Sequence, residues 1–301
     1  MYDVFCYGMI SPSTVYVLDQ RFNYPEPNQY AEIGQTLPSI GGEAVNSAIV
    51  LSKLGLTIKL DGCWMDVQKS GRIMDQLKPY EIDTSRITIK KECGTEELII
   101  TDRNSRTVFG NYAAFHAGER QWNIANEEDI ISCRMVALDP YFKVESLDAA
   151  KLCVKNKIPY VTLDSRYDDY IAVNAAAVII SHELRDQAYP DADMDDLFER
   201  YRDNCNGLII FTFGSDELWY ARRGMKTFKY TPYKITPIDT TGAGDSFRAG
   251  IIYGLLNSFD DHKTVDFASA VAASVCLTTP HALNCPDLEG IKKFMKEYKR
   301  G

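Results

Sequence analysis

Ile238-Asp239-Thr240-Thr241-Gly242-Ala243-Gly244-Asp245-Ser246-Phe247 leads into the apolar run Ala249-Gly250-Ile251-Ile252-Tyr253-Gly254-Leu255-Leu256. A turn of small residues thus opens an apolar helix, expected over Ala243–Leu256. Gly242 and Gly244 let the backbone bend without a side-chain clash. The first N–H groups of such a helix have no intrahelical partner, and with the helix dipole they make an anion site. Asp245 stands in the first turn beside those donors. A carboxylate next to an anion site suits phosphoryl transfer: the N–H groups hold the moving oxygens, and the acid orients a hydroxyl and takes its proton. On turn chemistry alone the same residues also read as a capped helix start, with Asp245 favouring the dipole. Neither the P-loop pattern nor a dinucleotide fingerprint is present.

A second glycine turn precedes another helix: Gly41-Gly42-Glu43-Ala44-Val45-Asn46-Ser47-Ala48, continuing to Leu54-Gly55. The glycines permit a ligand to approach the backbone closely. Asn46 offers donors and an acceptor, which suits a pair of polyol hydroxyls; alone, it also reads as a solvent-facing residue of a helix start.

Between and beyond these turns the chain alternates. Strands are expected at Val4–Gly8, around Val15 and Val17, and at Ile58–Gly62, Met135–Leu138, 159–163, 176–180 and 208–213. Helices are expected over 43–54, 70–77, 146–156, 195–204 and 265–277. This order predicts an α/β fold, a mostly parallel sheet covered on both faces, with ligands at the carboxyl ends of the strands. The runs Glu97–Thr101 and Thr107–Tyr112, joined by the polar Asp102-Arg103-Asn104-Ser105, interrupt the alternation as a hairpin. They are expected to form part of a small lid, inserted at about 12–38 and 90–114 of a single domain covering 1–301.

The bulk composition limits the alternatives. The 301 residues are 45% hydrophobic and 25% charged, values of a globular chain with a sizeable core. A net charge of −9 argues against nucleic acid and anionic membranes as partners. No signal peptide and no membrane span is expected. Eight scattered cysteines without a C-x-x-C pair, and only four histidines, point to free thiols in a reducing cytoplasm rather than a zinc site.

The two glycine segments, in this order around the hairpin, resemble the signatures of the PfkB or ribokinase family of carbohydrate kinases, and the resemblance spans nearly the whole chain. It implies a ribokinase-like fold and ATP-dependent phosphorylation of a hydroxyl on a small sugar-like molecule, with Mg2+ and a closing lid. Residue by residue, it makes Asp245 the catalytic base and the backbone of Gly242, Ala243 and Gly244 the anion hole. Gly41, Gly42 and Asn46 match the substrate segment. Asp139, after the strand Met135–Leu138, falls where relatives place an acidic sugar contact; it reads equally as a cap on the turn before Pro140. Thr212 and Gly214 look like the family's nucleotide segment. Asp239 and Thr241 match positions that bind a monovalent cation, K+, in some relatives, although the loop Thr278-Thr279-Pro280-His281-Ala282-Leu283 lacks the glycine usual there. The resemblance also implies a homodimer through the lid.

Three positions depart from the family pattern. Ser13 stands near the place of a sugar-binding aspartate, where it can still contact a hydroxyl. Ser181-His182-Glu183-Leu184 replaces the N-x-x-E motif; Ser181 there is similar to the ketohexokinase branch, and Glu183 reads either as a water-mediated magnesium ligand or as a helix-start acid. Glu217 takes the place of a glycine in the nucleotide loop. Two other readings stay open: a nucleoside kinase on the same fold, with Tyr16 or Phe109 against a base, and a non-catalytic sugar- or nucleotide-binding module.

Overall fold

The computed structural model describes residues 1–102 and 106–298. Residues 103–105, which include most of the expected hairpin turn, lie outside the described residues.

Tyr160–Leu163, Ala177–Ile180 and Leu208–Phe211 are buried at every position. Strands buried at every position are central strands of a sheet covered on both faces. They join Cys133–Leu138, Tyr2–Gly8 and Ile58–Gly62 as parallel neighbours. Among the described residues this sheet has nine strands. Ile82–Asp83 closes one edge, and the antiparallel strands Leu218–Ala221 and Phe228–Tyr230 close the other.

Tyr2–Gly8 lies between Ile58–Gly62 and Cys133–Leu138. The chain builds outward from it in one direction, then returns to its other side and builds away. The strand order therefore reverses between Tyr2–Gly8 and Cys133–Leu138, which opens a crevice at their carboxyl ends. The two strands approach so closely there that a Cβ on Gly8 would lie 1.9 Å from Asp139 Oδ2.

A smaller sheet stands apart, in the order Ile33–Gly41, Ser11–Leu18, Glu97–Thr101, Arg106–Gly110. It is mixed: Ser11–Leu18 pairs antiparallel with Ile33–Gly41 and parallel with Glu97–Thr101. The strand Ile33–Gly41 was not among the expected elements. Five of its nine residues are exposed and it contains Pro38, so it shows no alternation of its own; pairing along the whole of Ser11–Leu18 creates it.

The helix after the decisive turn spans Ala243–Leu256, as expected. The next starts earlier than expected, at Asp261, because Asp260 accepts a hydrogen bond from the Lys263 N–H and caps it. The strand expected over 208–213 ends at Phe211, although Thr212 still donates its N–H to Ile180 O at 2.9 Å.

Candidate active site

The turn before Ala243–Leu256 is built by local bonds. Ile238 and Asp239 donate their N–H groups to Cys276 O at 2.8 and 3.2 Å, which anchors the incoming chain. Thr241 N–H donates to Asp239 Oδ1 at 2.9 Å. Gly242 is left-handed, at φ 69°, and its carbonyl accepts from both the N–H and the hydroxyl of Ser246. Ala243 N–H is directed to Thr240 O at 3.3 Å, so the donors left for an anion are those of Gly242, Gly244 and Asp245. The space over Gly244 is open: a Cβ there would meet nothing within 4 Å.

The second glycine turn faces the first. Asn46 Nδ2 donates to Asp245 Oδ2 at 2.8 Å, and Ser47 Oγ donates to the Asp245 carbonyl at 3.0 Å. These bonds bring together residues 199 and 198 positions apart in sequence. Asn46 Oδ1 is buried without a partner, an acceptor held ready in the crevice. Gly42 has φ +102°, and a Cβ on it would sit 2.4 Å from Met9 O. A Cβ on Gly41 would sit 1.9 Å from Glu97 Oε2 and 2.4 Å from Ser13 Oγ.

Two predicted contacts are turned inward. Asp139 is fully buried and makes no cap bond to the turn Pro140–Phe142. Its carboxylate accepts from Met9 N–H at 2.7 Å and from the guanidinium of Arg248. Neither expectation, a sugar contact nor a cap, describes it: the acid is committed inside the protein. Burial alone would push Arg248 down, but Asp139 and Asp245 outweigh it and hold the guanidinium charged. Ser13, also fully buried, donates its hydroxyl to Glu97 Oε2 at 2.7 Å. The neighbouring strand of the small sheet thus sets a carboxylate beside Ser13, and the Tyr112 hydroxyl donates to its other oxygen.

Along the same edge, Asp164 follows Tyr160–Leu163 and Ser181 follows Ala177–Ile180. Ser181 donates its N–H and hydroxyl to Asp164 at 2.8 and 3.0 Å, and its oxygen caps the helix His182–Ala188 by accepting from Leu184 N–H at 3.1 Å. Burial raises the Asp164 carboxyl, helped by the nearby charges of Glu183 and Asp245. Glu183 sits in the first turn of that helix, 56% exposed. Thr212 donates to Ile180 O, and Gly214 takes a left-handed φ of 64° in open space. Glu217 faces Lys229 at 3.8 Å, and it precedes the strand whose Trp219 pairs with Phe211.

Among the described residues no cluster of three His, Cys, Asp or Glu could hold a metal by itself. Magnesium needs only one or two carboxylates when phosphates and water complete its shell. Asp164 and Glu183, with Asp245 near them, fit that requirement. A monovalent cation does not fit as well. Asp239 Oδ2 and Thr241 Oγ1 are buried without hydrogen-bond partners, but the His281 ring stands against Asp239, with Nδ1 3.9 Å from its Oδ2. Burial pushes that imidazole down, against the pull of Asp239 and Asp245.

Arg248, Asp164 and Glu97 escaped the sequence reading, and His281 was noticed without being given a role. Arg248 had a signal, a lone charge inside a buried apolar helix. Asp164 had the same signal as Asp139, an acid directly after a buried strand. Glu97 had none without the pairing register, which sets it opposite Ser13.

Residues 1–287 match the model of the pfkB family carbohydrate kinases. The chain belongs to that family. As a PfkB carbohydrate kinase it is an ATP-dependent phosphotransferase acting on a hydroxyl of a small sugar or sugar-like compound. Curated relatives of this kinase include a 5-dehydro-2-deoxygluconokinase of Clostridium perfringens, 24% identical over 86% of this chain and 85% of the relative. A nucleoside kinase of Methanocaldococcus jannaschii is 27% identical over 94% and 95%. Among solved structures, the M. jannaschii nucleoside kinase superposes with a TM-score of 0.78 at 21% identity, covering 99% of each chain. Arabidopsis thaliana ribokinase, solved with ribose and ATP, gives 0.79 at 14% identity, covering 98% of this chain and 99% of that one. The expected ribokinase-like fold is thus found. No helix among the described residues is long and apolar enough to cross a membrane.

Proposed function

We propose that this kinase phosphorylates an alcohol held between the two glycine turns, with Asp245 as base and the N–H groups of Gly242, Gly244 and Asp245 as the anion hole. The observation that carries this reading is the 2.8 Å bond from Asn46 to Asp245 Oδ2. It leaves Oδ1 of the acid for the substrate hydroxyl and sets the substrate segment against the phosphoryl site. Gly41, Gly42, Asn46 and Glu97 line the alcohol side, whereas Asp139 acts from behind through Arg248. Thr212, Gly214 and Ser181 line the nucleotide side. Mg2+, held by Asp164 and Glu183 through water, would screen the phosphate charge. K+ at Asp239 and Thr241 is left out of the reading because of His281.

The substrate class in this reading is a small polyhydroxy compound. A second reading, a nucleoside, draws support from a pocket of about 410 Å3 lined by Tyr16, Glu97 and Phe109, which offers aromatic faces beside a carboxylate. Both relatives named above, the 5-dehydro-2-deoxygluconokinase and the nucleoside kinase, belong in the test. ADP release is measured with ATP and magnesium across ribose, fructose, 5-dehydro-2-deoxygluconate, fructose phosphates, adenosine and other nucleosides, for the native chain and Asp245→Asn. Turnover of one compound that falls by about 10^2–10^4 in the variant supports the base and names the class. Turnover unchanged in the variant removes Asp245 from the role, and ATP binding without turnover of any compound favours a binding module.

The proposal includes a homodimer through the small sheet, whose edge strand Arg106–Gly110 exposes Val108 and Phe109, and a cytoplasmic setting, supported by eight cysteines without a disulfide among the described residues.

A further inference from the structure

His281 is 1% exposed, and neither ring nitrogen has a partner. The two turns beside it carry three more buried atoms without hydrogen-bond partners: Asp239 Oδ2, Thr241 Oγ1 and Asn46 Oδ1. Buried polar atoms are almost always bonded, so five of them on His281 and the two glycine turns need a reason. The ring packs directly on the anion-binding turn. A Cβ built on Gly242 would lie 2.7 Å from His281 Cδ2 and 3.3 Å from both His281 Nε2 and Asn46 Nδ2. On its other side, Nδ1 is 3.9 Å from Asp239 Oδ2.

The loop that carries the ring is held firmly. Thr278 Oγ1 donates to His281 O at 3.0 Å, Asn284 Nδ2 to Thr279 O at 2.7 Å, and the Tyr80 hydroxyl to Leu283 O at 2.6 Å. The helix before it receives the N–H groups of Ile238 and Asp239 at Cys276 O. The ring, Asp239 and Gly242 therefore form one rigid block. A cation bound at Asp239 and Thr241 would need a shell of oxygens; an imidazole ring faces them instead.

We propose that His281 is the positioning residue of the phosphoryl site, its ring wedged between Asp239 and Gly242 so that the glycine turn keeps its anion-binding shape without a bound monovalent cation. A neutral imidazole has one N–H and one acceptor nitrogen. With the proton on Nδ1 the ring turns a donor toward Asp239, and at 3.9 Å the contact is electrostatic rather than a hydrogen bond. The role rests on the reading of Gly242–Asp245 as the phosphoryl site, so its test has one arm that needs no substrate.

In that arm, crystals of the native chain and of His281→Gly are soaked in thallous acetate, and anomalous scattering is measured at Asp239. Thallium stands in for K+. The expected result is no peak in the native protein and a peak between Asp239 and Thr241 in the variant. A peak in the native protein overturns the proposal, as does an empty site in a folded His281→Gly. In the second arm, turnover of the substrate found above is compared in K+ and in tetramethylammonium at equal ionic strength. The native rate is expected to be unchanged; His281→Gly is expected to lose about 10- to 100-fold in tetramethylammonium and to recover in K+. His281→Asn, which keeps a polar group in a smaller volume, serves if the glycine variant fails to fold. Activation of the native enzyme by K+ overturns the proposal. If no compound is turned over, the thallium arm still decides it.

Discussion

Arg248, in the middle of the helix Ala243–Leu256, forms an ion pair with Asp139, and both side chains are sealed from solvent. The same guanidinium donates from Nε to Ser47 Oγ at 3.0 Å and from Nη2 to Glu43 O at 2.6 Å. It thereby ties the helix of the catalytic candidate to the helix of Asn46 and to the strand end that carries Asp139. Breaking one partner of a buried pair costs about 3–5 kcal/mol, because a charge is left uncompensated, whereas removing both can be nearly neutral. Arg248→Met should therefore lower stability by that amount in urea unfolding. The double variant Arg248→Met, Asp139→Asn should be clearly more stable than Arg248→Met alone. Additive losses would show that the pair does not act as a unit.

Asp61, at the end of the strand Ile58–Gly62, gives the fold a pH dependence. Its carboxylate is fully buried; Oδ1 accepts from Asn123 Nδ2 and Gly62 N–H, and Oδ2 has no hydrogen-bond partner. Burial pushes its pKa up to about 6, against the hydrogen bonds and Arg86. The folded chain then binds this proton more tightly than the unfolded chain. The favourable contribution is fully present below about 3.8, the unfolded value, and is lost as pH rises through about 6. Asp61→Asn keeps an acceptor and removes the charge. The variant should gain on the native chain above pH 6, by at most about 3 kcal/mol, with the difference shrinking toward pH 4. Urea midpoints of both proteins measured across that range check it; a constant difference would contradict the sign and the cause.

The glycine turns make opposite demands that a single substitution can separate. Gly42 and Gly55 both have left-handed φ values, +102° and +87°, but a Cβ on Gly42 would meet Met9 O at 2.4 Å and one on Gly55 nothing within 4 Å. Gly55→Ala should cost only the backbone strain, about 1 kcal/mol. Gly42→Ala must also move the strand end at Met9, whose N–H holds Asp139, and should cost about 2–3 kcal/mol and weaken substrate binding. Unfolding and substrate titrations of the two variants side by side measure this. Equal losses would mean that the close approach at Met9 is slack.

Much of this fold was legible because its central strands are continuous apolar runs and its two key helices open on glycine turns. The helix Ala243–Leu256 could be bounded from sequence, since small residues lead in and Asn257-Ser258 leads out. What stayed hidden depends on partners distant in sequence. Ile33–Gly41 carries no strand pattern and exists by pairing. Leu218–Ala221 and Phe228–Tyr230 are too short to announce themselves. Asp245, Gly242 and Asn46 could be singled out from local chemistry. The inward turn of Asp139 could not, because nothing near it in sequence reveals Arg248, 109 residues on.

Glu97 tests whether the small sheet takes part in recognition. Its strand is paired so that Glu97 lies opposite both Ser13 and Gly110, and Ser13 and Tyr112 direct its carboxylate over Gly41. Ser13 and Tyr112 each donate one hydrogen bond, which leaves each oxygen of the carboxylate a further lone pair for a substrate hydroxyl. Loss of an acceptor that grips substrate and transition state alike raises KM and leaves kcat in place. Glu97→Gln should accordingly raise KM for the alcohol about 10-fold, with little change in kcat or in KM for ATP. Ser13→Ala, which frees the carboxylate without removing it, should have a smaller effect in the same direction. A fall in kcat with KM unchanged would move Glu97 from recognition of the alcohol to closure of the sheet over the site, and steady-state kinetics with each substrate varied in turn separates the two.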